Sequence, residues 1–248
     1  QWARWFTRVR AGGMGAFGYD AAPMTSAVKS PEAFPAASAE LVLAGPAGRL
    51  EAATEPAAPE HARAGVAIVC HPHPLHGGTL RNKVVTMLER SLRELGLATV
   101  RFNFRGVGAS DGTFDEGDGE MQDLLAVAEW VQRVRPGDAL WLAGFSFGSW
   151  VAAKAARHLP VKQLILVAPP VQKYPIAALP HPPCPWLVVQ GEDDEVVDPQ
   201  AVFDWVAQTR DPPALVRMPQ TGHFFHRKLM DLRGAVKNAV KGNLPPVR

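Results

Sequence analysis

Gly65-Val66-Ala67-Ile68-Val69-Cys70 is apolar without a break, so no position marks a solvent face. Such a run reads as a strand covered on both sides. Ahead of it, residues 40–44 and 49–53 flank Gly45-Pro46-Ala47-Gly48, a strand, a tight turn and a strand. This predicts an antiparallel hairpin. Beyond it the period changes. Val84, Val85, Leu88, Leu92 and Leu95 recur at spacings of three and four, which predicts a helix over 82–95. A strand is expected at 97–104 and a helix over 120–134, with Leu124, Leu125, Val127, Ala128 and Val131 on its apolar face. Residues 139–143 read as a buried strand and 150–156 as the helix after it. Further strands are expected at 163–168, 185–190 and 214–218, with helices at 199–208 and 227–241.

A hairpin followed by repeated β-α units predicts a single α/β domain. Its core is a doubly wound, mostly parallel sheet of about eight strands with an antiparallel N-terminal hairpin. The domain is expected over 38–248, with residues 1–37 as a flexible extension. Within that extension 23–37 is proline- and serine-bearing, and 1–22 reads as a tag or an upstream-translated piece, with Met24 as a candidate start. Pro169, Pro170, Pro175, Pro180, Pro182 and Pro183 crowd the 16 residues between the strands ending at Ala168 and starting at Pro185. Proline disrupts a helix interior, so this connection should be irregular and too short for a lid.

Composition narrows the function classes. A chain of 248 residues with 47% hydrophobic content is long enough to bury one large core, and a net charge of +2 gives no electrostatic case for nucleic acid. No apolar stretch approaches the ~20 residues of a membrane span, so no membrane partner is expected. Cys70 and Cys184 lie beside strand-like runs and read as buried free thiols, which favours a reducing, cytoplasmic compartment. High Ala, Arg and Pro usage suggests a GC-rich bacterial genome.

The chemistry enters at Gly144-Phe145-Ser146-Phe147-Gly148, between a strand and an Ala-rich helix. Gly-x-Ser-x-Gly in that setting is the form of a nucleophile elbow, where the serine sits on a sharp turn and the glycines let two backbones approach. A serine nucleophile needs an acid, a base and oxyanion donors. Gly191-Glu192-Asp193-Asp194 follows a strand end, where α/β sheets place catalytic groups. Asp194 is the candidate acid and Asp193 the alternative. The surrounding carboxylates read as a solvated loop, with Asp198 capping the helix at Pro199. His223, after Gly222 and past the last strand, is the candidate base, with His226 the alternative. Donors for the oxyanion are expected from the N–H of Phe147 and of the loop His71-Pro72-His73-Pro74-Leu75-His76. Pro72 and Pro74 have no N–H, so His73 is the candidate and Leu75 the second choice. His71, His73 and His76 also have a metal-like spacing, but the serine apparatus needs no metal, and none is expected, nor any cofactor.

These motifs, together with Arg105-Gly106-Val107-Gly108-Ala109-Ser110, resemble those of the α/β-hydrolase superfamily. His71-Pro72-His73-Pro74 with Gly77-Gly78 and Asn82-Lys83-Val84-Val85 is similar to a small bacterial group of serine hydrolases without a lid. The resemblance covers about 38–245. It implies a Ser-His-Asp enzyme acting on a small soluble carboxylic ester or thioester through an acyl-enzyme. An amide hydrolase or acyltransferase on the same triad, and a non-catalytic binding protein on the same fold, are the alternatives. Leu75, Phe145, Trp150 and Phe224 are the expected substrate-binding residues. Phe147 and Phe225 are further candidates for an apolar pocket, with at least half of these aromatics expected in the core. Tyr174 and Phe114 are expected at its entrance.

Overall fold

A computed structural model describes residues 28–248. The apolar run Gly65–Cys70 forms the central strand β3, and all six of its residues are buried. Its side chains alternate between two cores. Val66, Ile68 and Cys70 join Val100, Phe102, Leu124, Val127 and Val151 on one face. Ala67 and Val69 join Val84, Leu88, Trp141, Leu232 and Val236 on the other. A strand with helices on both faces has no position that tolerates a polar side chain, and the sequence pattern follows from that.

The hairpin is β1 (Ala39–Gly45) and β2 (Gly48–Glu55), and the remaining strands are β4 (Ala98–Phe102), β5 (Ala139–Phe145), β6 (Val161–Val167), β7 (Trp186–Gly191) and β8 (Ala214–Met218). They form one eight-stranded sheet in the order β1-β2-β4-β3-β5-β6-β7-β8. β1 and β2 are antiparallel, β2 runs antiparallel to β4, and every later pairing is parallel. Helices α1 (Lys83–Glu94) and α5 (Leu229–Val240) cover one face. Helices α2 (Asp118–Val134), α3 (Phe147–Ala155) and α4 (Pro199–Gln208) cover the other. The β6–β7 connection holds a single three-residue 3-10 turn, Ile176–Ala178, and no lid.

Local chemistry sets the helix starts. Asn82 accepts the N–H groups of Val84 and Val85 and caps α1, and Asp198 accepts the N–H of Gln200 and caps α4 at Pro199. A cap of this kind contributes about 1 kcal/mol. α2 begins two residues before the expected position, because Glu120 accepts the N–H groups of Asp115 and Gly117 and tightens the entry. α3 begins at Phe147 rather than Trp150, since the turn at Ser146 leads straight into its first turn.

Residues 28–37 differ from the flexible lead-in expected there. Trp130 Nε1–H donates to the Pro31 carbonyl at 2.8 Å, the Phe34 ring stacks on Trp130, and Ser30 Oγ accepts the N–H of Ala44. The expectations for residues 1–27 lie outside the described residues. Cys70 and Cys184 are free and buried; burial pushes the Cys70 thiol far up and the Cys184 thiol up to about 11. Among the described residues no helix is long and apolar enough to cross a membrane.

Candidate active site

Ser146 occupies the turn between β5 and α3 with φ 53° and ψ −120°, a left-handed conformation that a residue with a Cβ rarely adopts. Its N–H donates to the Val167 carbonyl at 2.8 Å, and Ser149 Oγ–H donates to its carbonyl at 2.6 Å. The flanking glycines are steric requirements. A Cβ on Gly144 would stand 2.2 Å from the Gly148 carbonyl oxygen, and one on Gly148 would stand 2.4 Å from that of Cys70. Both obstacles are backbone and cannot rotate away. Gly148→Ala should therefore cost about 3 kcal/mol of stability, read as a fall in urea midpoint. An unchanged midpoint would show that β3 and α3 do not need to approach so closely.

Asp194 lies just past β7 with its carboxylate fully buried. Its Oδ1 accepts the N–H groups of Val196 (2.9 Å) and Val197 (2.7 Å), and its Oδ2 accepts Gln190 Nε2–H (3.0 Å). His223 Nδ1 lies 2.8 Å from the same Oδ2. Burial alone would raise the Asp194 pKa, but the hydrogen bonds from His223, Val197 and Val196 hold it below the usual value. An ionised carboxylate only accepts, so Nδ1 carries the proton and Nε2 is left as the acceptor. Asp193 is exposed and His226 is exposed, and neither takes part in this pairing.

Two further groups fix the imidazole. Glu195 accepts the backbone N–H of His223 at 3.0 Å, and the buried Phe145 ring packs against the imidazole with centroids 5.0 Å apart. Glu195 and Gln190 carried no signal in sequence. One was a member of an acidic cluster, the other the polar end of an apolar run.

The β3–α1 loop is held from within. His71 is fully buried; its Nδ1–H donates to the Pro72 carbonyl at 2.7 Å and its Nε2 accepts the Phe104 N–H at 3.0 Å. Both ring nitrogens are thus engaged, which removes His71 from any metal site. Leu75 N–H donates to His73 Nδ1 at 3.2 Å. The N–H groups of His73 and Phe147 have no hydrogen-bond partner among the described residues, and Phe147 opens α3, where the first-turn N–H groups have no intrahelical acceptor.

Burial lowers the His71 pKa from 6.5 to about 4 against the opposing bond to Pro72. Between those values the unfolded chain takes up the proton and the folded chain does not. The contribution to stability is therefore complete above the unfolded pKa and is lost as pH falls toward the folded one. At pH 5 the loss should reach about 2 kcal/mol, read by urea unfolding against pH 7.5. Equal stability at the two pH values would contradict this account of the loop.

Ser146 and His223 line one cavity of about 310 Å³, together with His73, Phe147, Tyr174 and Phe224. Ser146 is 9% exposed, and its Oγ has no hydrogen-bond partner among the described residues. Of the expected substrate-binding residues only Phe224 lines this space, and it is exposed. Phe145 lies wholly in the core under α1 and α5, as does Phe225. Trp150 is buried on the other face, stacked on Tyr174 at 5.6 Å. Leu75 points to solvent and does not line the cavity. Phe114 sits behind the wall, against the rings of His73 and Phe147, while Tyr174 is in the lining. Lys173, Asn82, Val196 and Val197 also line it and were not expected.

The alpha/beta hydrolase domain model matches residues 66–233, from β3 into α5. The chain belongs to the α/β-hydrolase family. A structure similar to this hydrolase is a serine hydrolase without lid from Xanthomonas campestris, 53% identical with TM-score 0.84, covering 87% of this chain and 99% of that one. An α/β serine hydrolase homologue from Coxiella burnetii is 46% identical with TM-score 0.80, covering 83% and 99%. An uncharacterised protein of Rickettsia prowazekii is 34% identical over 208 residues, covering 78% of this chain and 85% of its own length. The hydrolase thus shares most of its length with two serine hydrolase structures.

Proposed function

We propose that this hydrolase is a serine esterase, cleaving a carboxylic ester or thioester of a small soluble substrate through an acyl-enzyme on Ser146. The observation that carries the reading is the pairing of His223 Nδ1–H with buried, ionised Asp194 in the cavity that also holds the Ser146 turn. Ser146 Oγ attacks the acyl carbonyl while His223 Nε2 takes its proton. His223 then returns the proton to the leaving oxygen or sulfur, and the acyl-enzyme remains. Water, deprotonated by His223, attacks the acyl carbon and releases the acid and free Ser146. Asp194 fixes the ring tautomer and stabilises the imidazolium. The free N–H groups of Phe147 and His73 are the proposed oxyanion donors.

No metal or cofactor has a role in this cycle. The two buried free thiols support a reducing compartment, in keeping with the cytoplasm. With no lid over the cavity among the described residues, water-soluble short acyl esters are the expected substrates. Hydrolysis of 4-nitrophenyl acetate and butyrate, followed through the solubility limit of the latter, tests this. Smooth saturation with no jump at the limit is expected. A steep rise at the limit would overturn the small-substrate reading, and no turnover of either ester would overturn the esterase reading.

A further inference from the structure

The cavity beside Ser146 is lined by the aromatic rings of Phe147, Tyr174 and Phe224 and by the exposed Lys173. Among the described residues, Lys173 is the single Lys or Arg in its lining, and no Asp or Glu lines it. The Lys173 backbone is pinned in a tight turn, where the N–H groups of Lys173 and Tyr174 both donate to the Pro170 carbonyl, at 3.0 and 3.1 Å. Its ammonium makes no ion pair among the described residues, a state it shares with Lys29, Lys83, Lys162 and Lys241.

Two helix dipoles at the cavity have the same sign. Asn82 lines it and caps the 12-residue α1, and Phe147 lines it and opens the 9-residue α3. Both helices therefore present their positive ends to one space. Asn82 Oδ1 is occupied by the N–H groups of Val84 and Val85, which leaves its NH2 as a donor at the wall. The His73 imidazole pKa is lowered, first by burial and then by the neighbouring His76 and Lys173.

We propose that this cavity selects esters that carry an anionic group, a carboxylate or a phosphate, received by Lys173 at the rim while the ester carbonyl lies over Ser146. The proposal rests on Ser146 being the nucleophile of an esterase. An anion in this space meets a cation, two helix N-termini and an amide donor, and the carboxylate of Asp194 is buried behind His223 and engaged by four donors. A neutral substrate uses only the aromatic wall. One solvent-facing ion pair has a modest effect, so the preference should be about fivefold, expressed mainly in KM and weakened by salt.

Two matched pairs of substrates test this with the full chain, with the released acid followed by pH-stat. Ethyl butyrate and monoethyl succinate differ by a carboxylate on the acyl side. 1-Butyrylglycerol and 1-butyrylglycerol 3-phosphate differ by a phosphate on the leaving side. In at least one pair the anionic member should have the higher kcat/KM, and which pair shows it locates the charge. The anionic-to-neutral ratio should fall to near one in Lys173→Ala, fall below one in Lys173→Glu and survive in Lys173→Arg. A ratio at or below one in both pairs, or one that Lys173→Ala leaves unchanged, overturns the charge selection while the esterase reading stands. No turnover of any of the four esters overturns both.

Discussion

Ser146→Ala should lower kcat for a short ester by about 10^6-fold, because it removes the hydroxyl on which the acyl-enzyme forms. The fold should not feel the change. Ser146 Oγ has no hydrogen-bond partner among the described residues, while the bonds that hold the elbow run through its backbone N–H and carbonyl. Alanine at φ 53° carries the same strain as serine, so the melting temperature should stay within about a degree. Ser146→Gly separates strain from chemistry. It should be equally inactive yet more stable by about 1 kcal/mol, since glycine adopts positive φ without a Cβ clash. A Ser146→Ala protein that keeps a tenth of the wild-type kcat would remove Ser146 from the reaction.

Asp194→Asn should lower kcat by about 10^4-fold, through the position of a single proton. The carboxylate receives four donors, the N–H groups of Val196 and Val197 on one oxygen and those of Gln190 and His223 on the other. An amide offers one oxygen and one NH2 group. If the oxygen faces Val196 and Val197, the NH2 faces His223 Nδ1, which must then accept, and the ring proton moves to Nε2. Nε2 can then no longer take the proton of Ser146. In the opposite orientation the NH2 meets two backbone N–H groups, and the loop loses about 1–3 kcal/mol for each unsatisfied donor. The variant should thus be slow and somewhat less stable, read as kcat and as thermal midpoint on one sample. A kcat within tenfold of wild type would mean that Asp194 does not set the tautomer.

The fold was legible where burial is two-sided or a cap is chemically marked. β3 matches its expected bounds because every one of its side chains enters one of two cores, and α4 matches because Asp198 and Pro199 fix its start. The pairing of His223 with Asp194 beside the Ser146 turn was legible because all three residues follow the end of a strand, where the parallel sheet gathers its loops. The pocket was less so. Phe145 is the last residue of β5 and takes the α1/α5 face, whereas Phe147 lies past a turn that breaks the strand's period of two. Two phenylalanines two residues apart thus end in different places, one under His223 and one in the cavity. Lys173 sits in a proline-rich segment without periodicity, and the turn at Pro170 holds it in the lining beside Tyr174, the one residue of that segment expected there. Glu195 reaches the backbone of His223 across 28 residues of sequence, a contact that composition cannot mark.

Intact-mass analysis after treatment with a fluorophosphonate reads out whether Ser146 is an activated nucleophile. The wild-type chain should gain the mass of one phosphonyl group with loss of fluoride, and Ser146→Ala should gain nothing under the same conditions. An unmodified wild-type chain, or an equal adduct on Ser146→Ala, would contradict the account.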